Sequence, residues 1–204
     1  FLVSLASQPA TAADPPRDNS IIVHNGTGFH FPTSVAGFTR NSLQLFNNAG
    51  TNIDVSYTSL TAGSPVAVTV YVMPAPPIEL RGSYAASEAA QAKACDERFA
   101  AMDKRITSAH PGARQLVSGS IKSPTTLFTG TGRQVIYDYE DMFYGQKQML
   151  RSETDLYCYV NGDWLVAFRS TSPVAVDYAP KLTAFMQGLA WPAPGSGKSL
   201  PASN

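Results

Sequence analysis

Five carboxylates, Asp138, Glu140, Asp141, Glu153 and Asp155, crowd one short stretch of this 204-residue chain. Paired carboxylates can exchange protons with a substrate, and oxygen-rich clusters suit hard cations such as Ca²⁺. Glycoside chemistry needs a sugar platform beside the acids, and none can be placed here. The residues around them read instead as a polar rim on a sheet face. Histidine offers little more. His24 and His30 bracket Asn25-Gly26-Thr27-Gly28-Phe29, a turn expected to hold one solvent-facing imidazole. No further ligand lies near enough in sequence to complete a metal site. His110, before Pro111-Gly112, falls at the end of a helix, where its charged form is favoured by the dipole.

Other motifs carry no chemistry. Gly195-Ser196-Gly197-Lys198-Ser199 resembles the end of a phosphate-binding loop, but Pro192 replaces the glycine that the pattern needs upstream. There is no Gly-x-Ser-x-Gly elbow and no His-Glu-x-x-His. Asn25-Gly26-Thr27 matches the short glycosylation pattern. No cofactor and no metal are expected. Neither Cys95 nor Cys158 has a local His or Asn partner for catalysis. Cys95 shares a helical stripe with Ala92, Phe99, Met102 and Ile106, and Cys158 shares a strand face with Leu156 and Val160. Packing that helix on that sheet leaves two outcomes, a Cys95–Cys158 disulfide or two buried thiols.

The elements that position these groups follow from periodicity. Phe38–Phe46 and Thr51–Ser59 alternate as strands, and Val66–Met73 is a β-branched run stopped by Pro74-Ala75-Pro76-Pro77. A long helix runs from about Ser83, its capping residue, to Ala109. Arg114–Ile121 is a strand, and two hairpins fill 133–170. Ser172-Pro173 leads into a last helix over 174–189, which either kinks at Pro180 or starts at Ala179. Leu182, Phe185 and Leu189 form its apolar face. The fold class is therefore α+β, one antiparallel sheet of about seven strands with helices packed on it.

The hairpins fix which side chains share a face. Folding the first at Gly145-Gln146 sets Glu140 opposite Arg151, Asp138 opposite Glu153 and Ile136 opposite Asp155. Asn161-Gly162 closes the second, with Tyr159 opposite Trp164, Tyr157 opposite Val166 and Asp155 opposite Phe168. One face is thus polar toward the first turn and aromatic toward the second. Trp164, Tyr157 and Tyr159 are the expected apolar contact for a partner or ligand, with Asp138, Glu153 and Asp155 as its polar rim. The competing expectation is that the last helix or the N-terminal segment covers the aromatic end.

This order of elements over roughly residues 29–191, with the Phe29-His30-Phe31-Pro32 lead, resembles the PsbP/Mog1-like proteins. The resemblance implies an antiparallel sheet sandwiched by helices, and a non-catalytic role in assembly or partner binding. It assigns no site residue.

Composition narrows the partners. The formal net charge is zero and only 15% of residues are charged, so there is no basic field to recruit nucleic acid. Phe1-Leu2-Val3-Ser4-Leu5-Ala6 and the small residues through Ala13 resemble the end of a secretory signal. The expected organisation is a leader or linker over 1–19, one domain over 20–192, a disordered tail over 193–204, and no transmembrane segment. The expected function is an exported, periplasmic or secreted, non-enzymatic module that binds a protein partner or small ligand. The alternatives are a small hydrolase whose site is assembled from distant residues, or a structural subunit of an envelope assembly.

Overall fold

A computed structural model describes residues 21–61, 65–78, 84–128 and 130–193. The expected leader, Ser83, the phosphate-loop-like Gly195–Ser199 segment and the tail beyond 193 lie outside the described residues. Among the described residues no helix is long and apolar enough to cross a membrane.

The chain opens with a two-stranded ladder, β1 (Ile22–Val23) with β2 (His30–Phe31), closed by the His24–Gly28 turn. Then come β3 (Ser34–Val35), β4 (Phe38–Leu45), β5 (Ile53–Ser59), β6 (Val66–Pro74), α1 (Tyr84–Ala109) and β7 (Arg114–Lys122). The rest is β8 (Thr131–Phe143), β9 (Gln146–Val160), β10 (Trp164–Pro173) and α2 (Ala179–Gly188). The main sheet has eight strands in the order β3-β4-β5-β6-β10-β9-β8-β7, all antiparallel. The α+β class and the antiparallel sheet stand, and the strand count is corrected from about seven. The extra strands are two-residue pieces, too short to show any alternation. Pro180 falls in the first turn of α2, where its missing N–H costs nothing, so the last helix starts at Ala179 rather than kinking.

Each sheet face carries a helix because each carries its own apolar set. Ile53, Val55 and Tyr57 of β5, Val68, Val70 and Val72 of β6, and Val166 and Phe168 of β10 bury against Leu182, Phe185, Met186 and Trp191. The opposite face sets Met73, Leu156, Leu165 and Ala167 against Cys95, and Val135, Tyr137, Tyr139 and Leu150 against Ile106. Cys95 and Cys158 form a disulfide with their Cα atoms 5.9 Å apart, tying α1 to β9.

Both hairpins correct the expected register. The first turn is centred on Tyr144-Gly145, with φ of 50° and 79°, so Phe143 pairs Gln146. Glu140 therefore faces Met149, Asp138 faces Arg151 and Ile136 faces Glu153. The expected pairing of Asp138 with Glu153, two like charges, is replaced by an Asp138–Arg151 ion pair. In the second hairpin Tyr157–Val166 and Asp155–Phe168 pair as expected, but Trp164 pairs Val160 and a bulge follows. Tyr159, at φ 58°, is the residue left over. It turns to the α1 side, where its hydroxyl donates to the Pro76 carbonyl at 3.3 Å.

The N-terminal turn is pressed onto Trp164. His24 Nδ1 accepts from the Thr27 N–H at 3.1 Å, and the His24 ring meets Trp164 edge-on at 4.8 Å. His24 is 2% exposed and burial lowers its pKa, so the solvent-facing imidazole of this turn is His30. A methyl on Gly26 would lie 2.1 Å from the Trp164 ring. Gly26→Ala is expected to lower stability by about 1–3 kcal/mol through overpacking. Urea denaturation followed by Trp fluorescence checks this, with Gly112→Ala, whose added methyl meets open space, as the neutral control.

Candidate functional site

Of the three aromatics expected to form an exposed contact, two are buried and Tyr159 is half-buried. Trp164 and Tyr157 are 1% exposed and belong to the core under α2. Tyr159 is on the other side of the sheet. The forecast of an aromatic contact face is corrected: the last helix and Trp191 cover it. Asp138, Glu153 and Asp155 are likewise not a solvated rim, being 5%, 7% and 1% exposed.

The structure does bring those three acids together with partners that sequence did not supply. Arg151 grips Asp138 with two parallel bonds, Nε to Oδ1 at 2.8 Å and Nη2 to Oδ2 at 3.0 Å, and Arg114 adds a contact at 3.4 Å. This fork geometry satisfies a buried carboxylate with a charge it cannot lose. A cation for Asp138 is thus already present in the chain, and Ca²⁺ is not required. Glu153 accepts from Gln134 Nε2 at 2.7 Å and from the Tyr178 hydroxyl at the start of α2. Asp155 lies beside Glu153 and Gln134. Burial, and next the charge of Glu153, push its carboxyl up to about 8, so one proton is held in this acid pair at neutral pH. Asp155 Oδ1, Ser170 Oγ and Ser172 Oγ are buried there without hydrogen-bond partners.

Two of these partners, Arg151 and Tyr178, form the inner wall of a cleft of about 500 Å³. Leu116, Val117, Ile136, Val174 and Val176 make its apolar lining. Val117 and Val174 are 43% and 37% exposed. The cleft meets β7 at Leu116 and Val117; β7 is the last strand of the sheet and is exposed along most of its nine residues. A bulge between Gln115 and Val117 leaves Val117–Lys122 as the regular part of that edge. The cleft residues come from β7, β8, β9 and the β10–α2 connection. The apolar spacing of Leu116, Val117 and Ile136 is visible in sequence, but their meeting with Val174–Ala179 is not.

A second cleft of about 230 Å³ opens on the opposite face between α1 and the sheet. A third hollow, about 390 Å³, adjoins the end of α1. There His110 stacks on Tyr139 at 3.8 Å and lies 3.5 Å from Asp141. Its lining of Ala109, His110, Pro111, Gly112, Tyr139, Glu140, Asp141 and Met149 has no serine, threonine or cysteine nucleophile. Among the described residues no cluster of three or more His, Cys, Asp or Glu is arranged to hold a metal ion. Comparison with protein-family models, curated proteins and solved structures finds no match to this chain.

Proposed function

We propose that the protein is an exported, non-enzymatic binding module that captures an extended segment of a partner protein along β7. The outer edge of β7, which no strand among the described residues pairs, carries this reading. An edge strand presents unpaired N–H and C=O groups that another strand can complete, and a neighbouring pocket then selects alternate side chains. The Val117–Ile136–Val174 cleft would take an apolar side chain of such a segment. Charge selects the rest: β7 carries Arg114, which shares Asp138 with Arg151, and Lys122 and no acid, against the single Asp177 of the cleft, so the matching segment is acidic.

A second copy is a poorer occupant. Antiparallel self-pairing over all of β7, centred on Ser118, would place Arg114 opposite Lys122 at both ends, and directly opposed like charges destabilise a ladder. Export is supported by the leader-like start and by the Cys95–Cys158 bond, which persists in oxidising compartments.

Labelled peptides alternating Val and Glu are the probe, with Val/Lys peptides as control. The Val/Glu peptide is expected to bind saturably to a monomer and to slow exchange of β7 amides. Val117→Asp should weaken it by about tenfold or more, since an acid then replaces the apolar wall of the cleft and repels the Glu side chains. Equal binding by Val117→Asp, or a stable dimer through β7 in sedimentation, would overturn the proposal.

A further inference from the structure

Three arginines converge on the second cleft, and among the described residues none has a carboxylate to answer it. Arg98 and Arg105 lie two turns apart on α1, on the side that carries Met102 and Ile106. Arg169 rises from β10 beneath them, and Tyr71, Met73 and Thr154 complete the lining. Among the described residues no Asp or Glu forms an ion pair with any of the three. Their bonds are poor substitutes. Arg98 Nη2 points at the Met73 sulfur at 2.9 Å, a weak acceptor, and Arg98 Nε is buried with no partner. Arg169 Nη2 reaches only the Tyr139 hydroxyl at 3.5 Å.

The floor shows the same deficit. Thr154 is 2% exposed, and its hydroxyl has no hydrogen-bond partner. Asp54 stands across Tyr71 on the neighbouring strand, where burial pushes its carboxyl above the usual range, and Asp103 of α1 accepts from the Tyr137 hydroxyl at 2.7 Å. In a chain of zero net charge, three guanidiniums around one small hollow cost mutual repulsion and desolvation unless an anion joins them.

We propose that the cleft between α1 and the sheet binds a small oxyanion, a carboxylate or phosphate on a compact organic body. The guanidinium of Arg98 and that of Arg169 would hold the oxygens from opposite walls, as planar forks do for both groups. Thr154 donates from the floor, and Arg105 closes the exposed mouth. Met73, Met102 and Ile106 face the apolar body. A cleft of about 230 Å³ limits that body to a few carbons or a single ring. This site is independent of the β7 edge, being on the other face of the sheet.

The test is calorimetric titration of the full chain with inorganic phosphate, phenyl phosphate, succinate and benzoate at constant ionic strength. Saturable binding is expected in the phosphate arms, the carboxylate arms or both, and which arm responds names the source. Arg98→Gln and Arg169→Gln should each weaken it by about tenfold or more. Thr154→Val, which keeps the packing and removes only the hydroxyl, should weaken it several-fold. Lys104→Gln removes the same charge from an exposed position of α1 outside the cleft and should change nothing. No saturable binding in any arm, or equal losses in Arg98→Gln and Lys104→Gln, would overturn the proposal.

Discussion

Asp155→Asn is expected to stabilise the protein strongly at alkaline pH while changing little at acid pH. Asp155 is 1% exposed, and its carboxyl is pushed up to about 8 by burial and by Glu153. In the unfolded chain it ionises near pH 4. Between those values the folded state holds a proton that the unfolded state has released. The stability this group contributes is therefore complete below about pH 4 and is lost as pH rises to about 8. Each unit of that window is worth on the order of 1.4 kcal/mol, so the whole window amounts to several kcal/mol. Asparagine never ionises, and its amide can donate to Glu153 as the protonated acid does.

Urea midpoints at about pH 5 and about pH 9 check the expectation. Wild type should weaken much more than Asp155→Asn across that range; parallel slopes would defeat it. Glu153→Gln offers a second reading, because removing the neighbouring charge lowers the Asp155 pKa and narrows the window from above. The acid pair also bears on binding. Glu153 holds Tyr178 and Asp138 holds Arg151, the two polar walls of the cleft beside β7. Alkaline destabilisation should reach that cleft before it reaches the aromatic core.

The sequence made the sheet legible where alternation was long and the turns were marked. Asn161-Gly162 placed the second hairpin, and Tyr157–Val166 and Asp155–Phe168 pair as its pattern predicts. The first turn failed by one position because Gly145 can serve as either central residue of a two-residue turn. Tyr144 takes the positive φ that Gln146 was expected to take, which non-glycine residues seldom do. Moving the turn by one residue moves the pairing by two, so the faces survived but every partner changed. That alone turned a repulsive Asp138–Glu153 pair into the Asp138–Arg151 fork.

The clefts were hidden for a different reason. Arg98 and Arg105 flank the apolar stripe of α1, and that much could be read from spacing. Arg169 joins them only because β10 lies between β6 and β9, a long-range sheet order that no local pattern encodes. The aromatic cluster needs a cover, and the last helix, one of the two covers expected from the sequence, supplies it. Exposure was the part that periodicity could not decide: alternation tells which side chains share a face, not what packs upon it.

Removing the Cys95–Cys158 bond should cost about 4 kcal/mol, because it closes a loop of 63 residues that the reduced, unfolded chain is free to open. The loss should fall on α1 first. Among the described side chains of the 26-residue α1, Cys95 and Ile106 are the only buried hydrophobic ones, with Phe99 and Met102 partly covered. By contrast, the 10-residue α2 buries Leu182, Phe185 and Met186. A long helix with so little apolar anchorage depends on its covalent tie, and Arg98 lies less than one turn beyond Cys95. Reduction, or the double substitution Cys95→Ala and Cys158→Ala, should therefore speed amide exchange along α1 before β6, β9 and β10 respond. It should also weaken oxyanion binding by loosening one wall of the arginine cleft, while peptide binding along β7 persists. A reduced protein with an unchanged denaturation midpoint and unchanged α1 exchange would show that packing alone holds the helix. The opposite pattern would make the disulfide the element that keeps three unpaired cations around one cavity.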